Sequence, residues 1–348
     1  MKAPLKIGVL SFAHGHVTAY ADVMKDFDDV LLVAAWDDDF ERAQPICERN
    51  GMAYCADMDG VLGNPEIDAV MIGVETYRHE ECCVAAAKAG KHILLQKPMA
   101  FTLEACDKIV AAVEEAGIEF AVAFQMRQDP ANIRMRELVQ EKSLGNLAIA
   151  RRRHCIGVLL NDDFVNGPTN WHIDPVKNKG MFMDDAVHAA DWFYWLFGKP
   201  VSVMAEIDNV ITNVAPDDCG VAVYRFENGM IGILLNSSVI NAAENTTEIY
   251  GEKGCIIQNY GDGPSNHVPR PENAPALKVF RYGEPDWEDQ GIPIPPDHGY
   301  RIRAIPRPWV DSLLHGGPKL ASAREAKVSV EMVLGAYQAG AEGKRIKF

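Results

Sequence analysis

Two short stretches of this sequence hold side chains able to move a proton. In Leu94-Leu95-Gln96-Lys97-Pro98-Met99-Ala100 an apolar run ends on a lysine and a proline fixes the turn after it. A lysine at the end of a buried strand can be desolvated and serve as acid or base, although an ordinary surface lysine is the plainer reading. In Gly180-Met181-Phe182-Met183-Asp184-Asp185-Ala186-Val187-His188-Ala189-Ala190-Asp191, helical spacing puts Asp184, His188 and Asp191 on one face of an otherwise apolar helix. Polar groups there cost free energy unless they have partners or a site to serve. His188 is the natural proton acceptor for oxidation of an alcohol, with a carboxylate near enough to orient it; a structural His–Asp pair is the alternative.

The first βα turn bears on cofactor binding. It reads Gly8-Val9-Leu10-Ser11-Phe12-Ala13-His14-Gly15-His16, so in register with GxGxxG the three glycine slots hold Ser11, Ala13 and His16. Backbone N–H groups at a helix start still favour a pyrophosphate, and Gly15 can take part of the glycine role. His14 and His16 read as polar loop residues or as hydrogen-bond donors to phosphate or substrate. No further side chains at metal-ligand spacing accompany them, so no metal is expected. The next apolar run ends in Trp36-Asp37-Asp38-Asp39, with Asp37 26 positions after Ser11. An acidic residue at about that distance accepts from the adenosine ribose and repels a 2′-phosphate, which points to NAD over NADP. The plainer reading is a carboxylate capping the helix that begins near Phe40.

The elements that must position these residues fall into two patterns. Over residues 1–125 the strands Lys6–Phe12, Val30–Trp36, Ala69–Val74, His92–Lys97 and Glu119–Phe124 alternate with helical stretches, including Glu80–Ala89 before Gly90 and Leu103–Ala116 before Gly117. That predicts an α/β chain opening with a doubly wound Rossmann dinucleotide-binding domain, its ligands at the carboxyl ends of the strands. Residues 126–348 run strand after strand, at Leu147–Val158, Val201–Ile207, Gly220–Phe226, Met230–Asn236 and Thr247–Tyr250, with Gly180–Phe197 and Ser322–Ala341 helical. Strands without intervening helices predict an antiparallel or mixed open sheet. Residues 261–296 hold eight of the twenty prolines and read as an irregular excursion.

Composition narrows the function. Among 348 residues, 34 Lys and Arg against 49 Asp and Glu leave a net charge of −15, unsuited to a phosphate-rich polymer. A small molecule is the expected partner, and nucleic acid is not. Eight scattered cysteines without a CxxC pair suit a reducing compartment. The apolar run near the N-terminus is too short for a signal peptide, and nothing approaches the roughly 18 apolar residues of a membrane span. A cytoplasmic protein with no membrane partner is expected.

The order of these features resembles the Gfo/Idh/MocA family, the glucose-fructose oxidoreductase and inositol dehydrogenase group, over essentially the whole chain. Ala89-Gly90-Lys91-His92-Ile93-Leu94-Leu95-Gln96-Lys97-Pro98 is similar to its AGKHVxxEKP signature. Glu75-Thr76-Tyr77-Arg78-His79 stands where the family has a loop leading to a histidine. Arg127 with Pro130 resembles its RxxP element, Trp171-His172 with Asp174-Pro175 its WRxDP element, and Gly180–Asp191 its GGxxxDxGxHxxD helix. The resemblance implies nicotinamide chemistry on a sugar, cyclitol or related polyol, with Lys97, His188 and Asp184 catalytic. It implies that Gly8, Ser11, Ala13, His14, Gly15, His16, Asp37, Glu75, His79 and Lys97 bind the cofactor, and that Arg127, Trp171, His172, Asp184 and His188 bind substrate. It also implies a large open C-terminal sheet used for assembly into a homodimer or homotetramer. The chain departs from the pattern at the glycine fingerprint, at Gln96 in place of Glu, and at Asp185-Ala186. Two alternatives stand beside oxidation: a lyase or epimerase using NAD redox transiently, and a non-catalytic nucleotide-binding regulator.

Overall fold

The computed structural model describes residues 1–241, 244–260 and 268–348. They form two compact units. The first comprises Met1–Gln125, Val176–Asn178 and Ile302–Val330; the second comprises Met126–Pro175, Lys179–Arg301 and Glu331–Phe348.

In the first unit, six parallel strands lie in the order β3-β2-β1-β4-β5-β6: β1 (Leu5–Leu10), β2 (Val30–Trp36), β3 (Ala53–Cys55), β4 (Ala69–Ile72), β5 (His92–Leu95) and β6 (Phe120–Val122). The order reverses between β1 and β4, the switch point at which such sheets bind nucleotides. Helices α1 (Gly15–Met24), α2 (Phe40–Asn50), α3 (Met58–Leu62), α4 (His79–Lys88) and α5 (Leu103–Ala116) connect the strands. Local chemistry sets their ends. The Asp39 side chain accepts the Arg42 N–H to start α2, Thr102 accepts the Ala105 N–H to start α5, and Gly117 closes α5 with φ of 63°.

The units change between Gln125 and Met126, but Val176–Asn178 and Ile302–Val330 return to the first unit. Ile302, Ile305, Trp309, Val310 and Leu313 pack into the same core as Val17, Tyr20 and Met24 of α1. Those five apolar residues lie far along the chain, and burying them completes the first unit's core.

The second unit holds α6 (Pro130–Gln140), β7 (Leu147–Cys155), the short α7 (Asp162–Asn166) and, after α8 (Pro175–Asn178), whose residues Val176–Asn178 belong to the first unit, α9 (Met181–Phe197). After them come β8 (Ser202–Asp208), β9 (Cys219–Arg225), β10 (Ile231–Ser237), β11 (Thr247–Gly251), β12 (Gly254–Gln258), β13 (Leu277–Arg281) and β14 (Glu288–Asp289). Helices α10 (Gly299–Arg303), α11 (Pro306–His315) and α12 (Ala323–Glu342) and strand β15 (Ile346–Lys347) close the chain. The sheet order is β14-β13-β12-β11-β7-β10-β9-β8-β15, antiparallel throughout except where β10 runs parallel to β7.

The proline-rich stretch also differs from expectation. Residues 261–267 lie outside the described residues, but Leu277 and Val279 are fully buried on β13, in a proline-free interval long enough for one strand. Helix α9 packs on one face of the sheet. The opposite face exposes Ile149, Met204 and Val221.

Candidate functional site

At the end of β1, Ser11 takes the left-handed conformation, φ 68°, that the first glycine of a dinucleotide turn provides. The strain, about 1 kcal/mol for a residue with a Cβ, is offset by the hydroxyl. Ser11 Oγ accepts the Ala13 N–H at 3.0 Å and donates to Asp37 Oδ2 at 3.1 Å. His14 caps α1, its Nδ1 accepting the His16 N–H at 3.3 Å, and the two rings lie 4.5 Å apart. The glycine that lets helix and strand approach has moved. A Cβ on Gly73, just past β4, would meet Val17 Cγ2 at 2.5 Å and the Ser11 carbonyl at 2.8 Å.

These residues fit a dinucleotide. The first turn of α1 carries no acidic side chain, and nothing lies within 4 Å of where a Cβ on Gly15 would stand. Backbone N–H groups and the helix dipole favour a pyrophosphate there.

Asp37 faces inward. Its carboxylate has no exposed surface and accepts from the Phe12 N–H (2.7 Å), the Asp39 N–H (2.9 Å), the Ser11 hydroxyl and Arg42 Nε (3.1 Å) and Nη2 (2.5 Å). Burial pushes its pKa up, but Arg42 and the two N–H donors outweigh burial and hold it below the usual carboxylate range. The half-exposed carboxylate at this strand end is Asp38, which bridges Arg42 at 2.9 Å and Arg78 at 3.0 Å.

Lys97 is buried at the carboxyl end of β5 beside buried Gln96. His79, also fully buried, staples the turn after Lys97. Its Nδ1 lies 2.8 Å from the Pro98 carbonyl and its Nε2 3.2 Å from that of Val74. Burial pulls its pKa down to about 4 against the opposing pull of those carbonyls, so the ring is neutral at pH 7. Glu75 is buried too; one oxygen lies 3.4 Å from Lys177 Nζ, and Oε2 has no hydrogen-bond partner among the described residues.

In the second unit Asp184, His188 and Asp191 are all buried on α9, as their spacing requires. Asp191 is bound by Arg127 through a bidentate pair, Nε–Oδ2 at 2.9 Å and Nη2–Oδ1 at 2.7 Å. Asp185, whose direction the sequence leaves open, accepts the Ser238 hydroxyl at 2.9 Å. His154, inward-facing on β7, has its ring 5.4 Å from that of His188. One alternation earlier Arg152 lies over Trp192 and donates to Thr247 and Gln258. Trp171 stacks on His172 at 3.6 Å, and His172 Nδ1 contacts the Thr169 carbonyl at 2.7 Å.

Residues 7–124 match a family model described as the oxidoreductase family with NAD-binding Rossmann fold, and residues 133–257 match the GFO/IDH/MocA C-terminal domain. The chain belongs to the Gfo/Idh/MocA oxidoreductase family. It is 27% identical over 263 residues to the myo-inositol 2-dehydrogenase of Thermotoga maritima, covering 73% of this chain and 75% of that one. Among solved structures it shares its fold with levoglucosan dehydrogenase in complex with NADH and levoglucosan, at TM-score 0.79, 22% identity and 99% coverage of both chains. It shares it likewise with a putative NADPH-dependent oxidoreductase of Desulfitobacterium hafniense, at TM-score 0.82 and 18% identity, covering 100% of this chain and 98% of that one.

Within this Gfo/Idh/MocA protein several expected ligands also have structural work. Gly8 lies inside β1, where a Cβ would strike Val61 Cγ1 at 2.6 Å, so it serves packing beneath the sheet. Both ring nitrogens of His79 face backbone carbonyls, and the neutral ring can donate its single N–H to one of them. The Arg127 guanidinium binds Asp191, and the Asp37 carboxylate binds the turn at Ser11 and Phe12. Gly73, His154 and Arg152 escaped the sequence reading. The strand alternation that buries Ala150 puts Arg152 and His154 on the same inward face, and two polar residues at core positions are a signal that could have found them.

Proposed function

We propose that the chain transfers a hydride between NAD and a hydroxyl-bearing carbon of a sugar, cyclitol or related polyol. The observation that carries this reading is the buried constellation of His188, Asp184 and His154 in a chain whose other unit is an NAD-binding Rossmann domain. The names of its relatives support the substrate class: myo-inositol 2-dehydrogenase, 1,5-anhydro-D-fructose reductase and levoglucosan dehydrogenase.

When bound, the nicotinamide supplies the carbon that accepts or returns the hydride. Ser11, Ala13, His14, Gly15 and His16 shape the turn for its pyrophosphate, and the unpartnered Glu75 Oε2 is assigned to a cofactor hydroxyl. Asp38, exposed at the end of β2, takes the role of disfavouring a 2′-phosphate, which makes NAD the preferred cofactor and NADP the weaker one. His188 takes the proton from the substrate hydroxyl, Asp184 one helical turn before it orients substrate and imidazole, and Lys97 serves the reaction as an acid or base. Trp171 and His172 offer a stacked ring surface to a sugar face.

The apolar residues on the outer sheet face, Ile149, Met204 and Val221, support assembly into a homodimer or homotetramer through that face. All eight cysteines are unbonded, and no helix among the described residues is long and apolar enough to cross a membrane. Both facts support a cytoplasmic location.

The test is a panel of polyols and sugars with NAD and with NADP, reading cofactor absorbance and product identity. Sustained NADH formation with one polyol supports the proposal. Binding of neither cofactor, measured by calorimetry, sinks it.

A further inference from the structure

Helix α9 starts without a cap of its own. Gly180 is its N-cap residue and has no side chain, leaving the first N–H groups to find acceptors elsewhere. Two residues distant in sequence supply them. Asp217, in the turn before β9, accepts the Phe182 N–H on Oδ1 at 2.6 Å. Tyr337, on α12, accepts the Met183 N–H on its hydroxyl at 3.1 Å and donates that hydroxyl to Asp217 Oδ2 at 2.7 Å.

The clamp explains the glycine. A Cβ on residue 180 would stand 2.3 Å from Asp217 Oδ2 and 2.9 Å from Tyr337 Oη, so any side chain there would expel the pair. Asp217 is itself held firmly. The neighbouring Asp218 accepts the N–H groups of Val210, Ile211 and Thr212 at 2.8, 2.9 and 2.6 Å, fixing the turn that presents it. The Tyr337 ring meets Phe182 edge-on at 5.7 Å, and the Lys179 ammonium lies 5.2 Å from its centroid. Burial raises the pKa of both the Asp217 carboxyl and the Tyr337 hydroxyl, as expected of a hydrogen-bonded pair withdrawn from water.

We infer that Asp217 and Tyr337 are positioning residues for the reaction, fixing the rotation and axial placement of α9 so that Asp184 and His188 are held in register for catalysis. The inference rests on the proposed role of His188. A helix anchored at its first turn cannot slide or roll without breaking the clamp; Asp184 lies in that same turn and His188 one turn later. Misplacing a reacting group by about 1 Å can cost ~100-fold in rate.

The experiment uses the full chain with Tyr337→Phe and Asp217→Asn, measuring kcat, KM, NADH affinity by fluorescence, melting temperature and the pH profile of kcat. Tyr337→Phe is expected to lower kcat by about 10- to 100-fold, to shift the pH profile, and to leave NADH affinity unchanged. Asp217→Asn is expected to do less, because its amide oxygen still accepts the Phe182 N–H. A lower melting temperature with unaltered kcat and pH profile would overturn the inference. If Tyr337→Phe does not fold, Asp217→Asn is judged by the same readouts. If the wild-type chain oxidises no polyol, the proposed function has failed separately; hydrogen exchange at Phe182 and Met183 then tests the clamp, and unchanged protection of the Phe182 N–H in Asp217→Ala overturns it.

Discussion

The imidazoles of His154 on β7 and His188 on α9 lie 5.4 Å apart, both buried, in the second unit of the chain. Two rings so placed can share the task of binding and deprotonating one hydroxyl, and substitution should separate their shares. His188→Ala is expected to lower kcat by about 10²- to 10⁴-fold, the worth of a positioned general base. His154→Ala is expected to act mainly on KM. Steady-state kinetics with the preferred polyol decides, and equal kcat losses in both variants would mean that His154 also takes part in proton transfer.

Arg127 offers a contrast between stability and substrate binding. Its guanidinium and Asp191 are buried and doubly hydrogen-bonded, and removing one partner strands the other's charge. Arg127→Ala should destabilise the fold by about 3–5 kcal/mol in urea unfolding. An intact urea midpoint with a raised KM would return Arg127 to the substrate.

The outline of the fold was legible in the sequence, and the assignment of ligands less so. Strands β1, β2, β4 and β5 announce themselves as short apolar runs, and the spacing of Asp184, His188 and Asp191 reads directly as one helical face. What sequence spacing cannot carry is partner choice. Asp37 and Arg42 are neighbours on the chain, yet only the folded turn shows that Ser11 and Phe12 complete the carboxylate's shell. Arg127 and Asp191 are 64 positions apart, and Asp217 and Tyr337 are 120 apart. The packing glycine opposite α1 was missed because the motif looks for it on the helix side, while this chain puts it at Gly73.

His79 predicts an acid sensitivity. Its folded pKa of about 4 lies below the ordinary 6.5, so the unfolded state binds the proton more readily. Its contribution is therefore complete above pH 6.5 and is lost as pH falls toward 4, amounting to about 3 kcal/mol at the lower end. Urea unfolding of the wild type and His79→Gln between pH 7.5 and 4.5 checks this. The variant should show a shallower loss on acidification; parallel curves would contradict it.

Ser11 predicts opposite responses to two small substitutions. Ser11→Gly relieves the left-handed strain while losing the bonds to Asp37 and Ala13, so stability should change by less than about 1 kcal/mol. Ser11→Ala keeps the strain and loses the same bonds, and should cost about 1–2 kcal/mol and weaken NADH binding. Chemical denaturation with a fluorescence titration of NADH reads both, and equal behaviour of the two variants would show that the left-handed conformation at residue 11 carries no strain.

The central claim is that Lys97 and His188 act in one NAD-linked oxidation of a polyol. Its most direct test is the initial rate of NADH formation by the wild type, Lys97→Ala and His188→Ala on the best substrate from the polyol panel, each at saturating NAD. The account predicts sustained NADH production by the wild type and losses of about 10²-fold or more in both variants, with the fold intact. Full activity in both variants would contradict it.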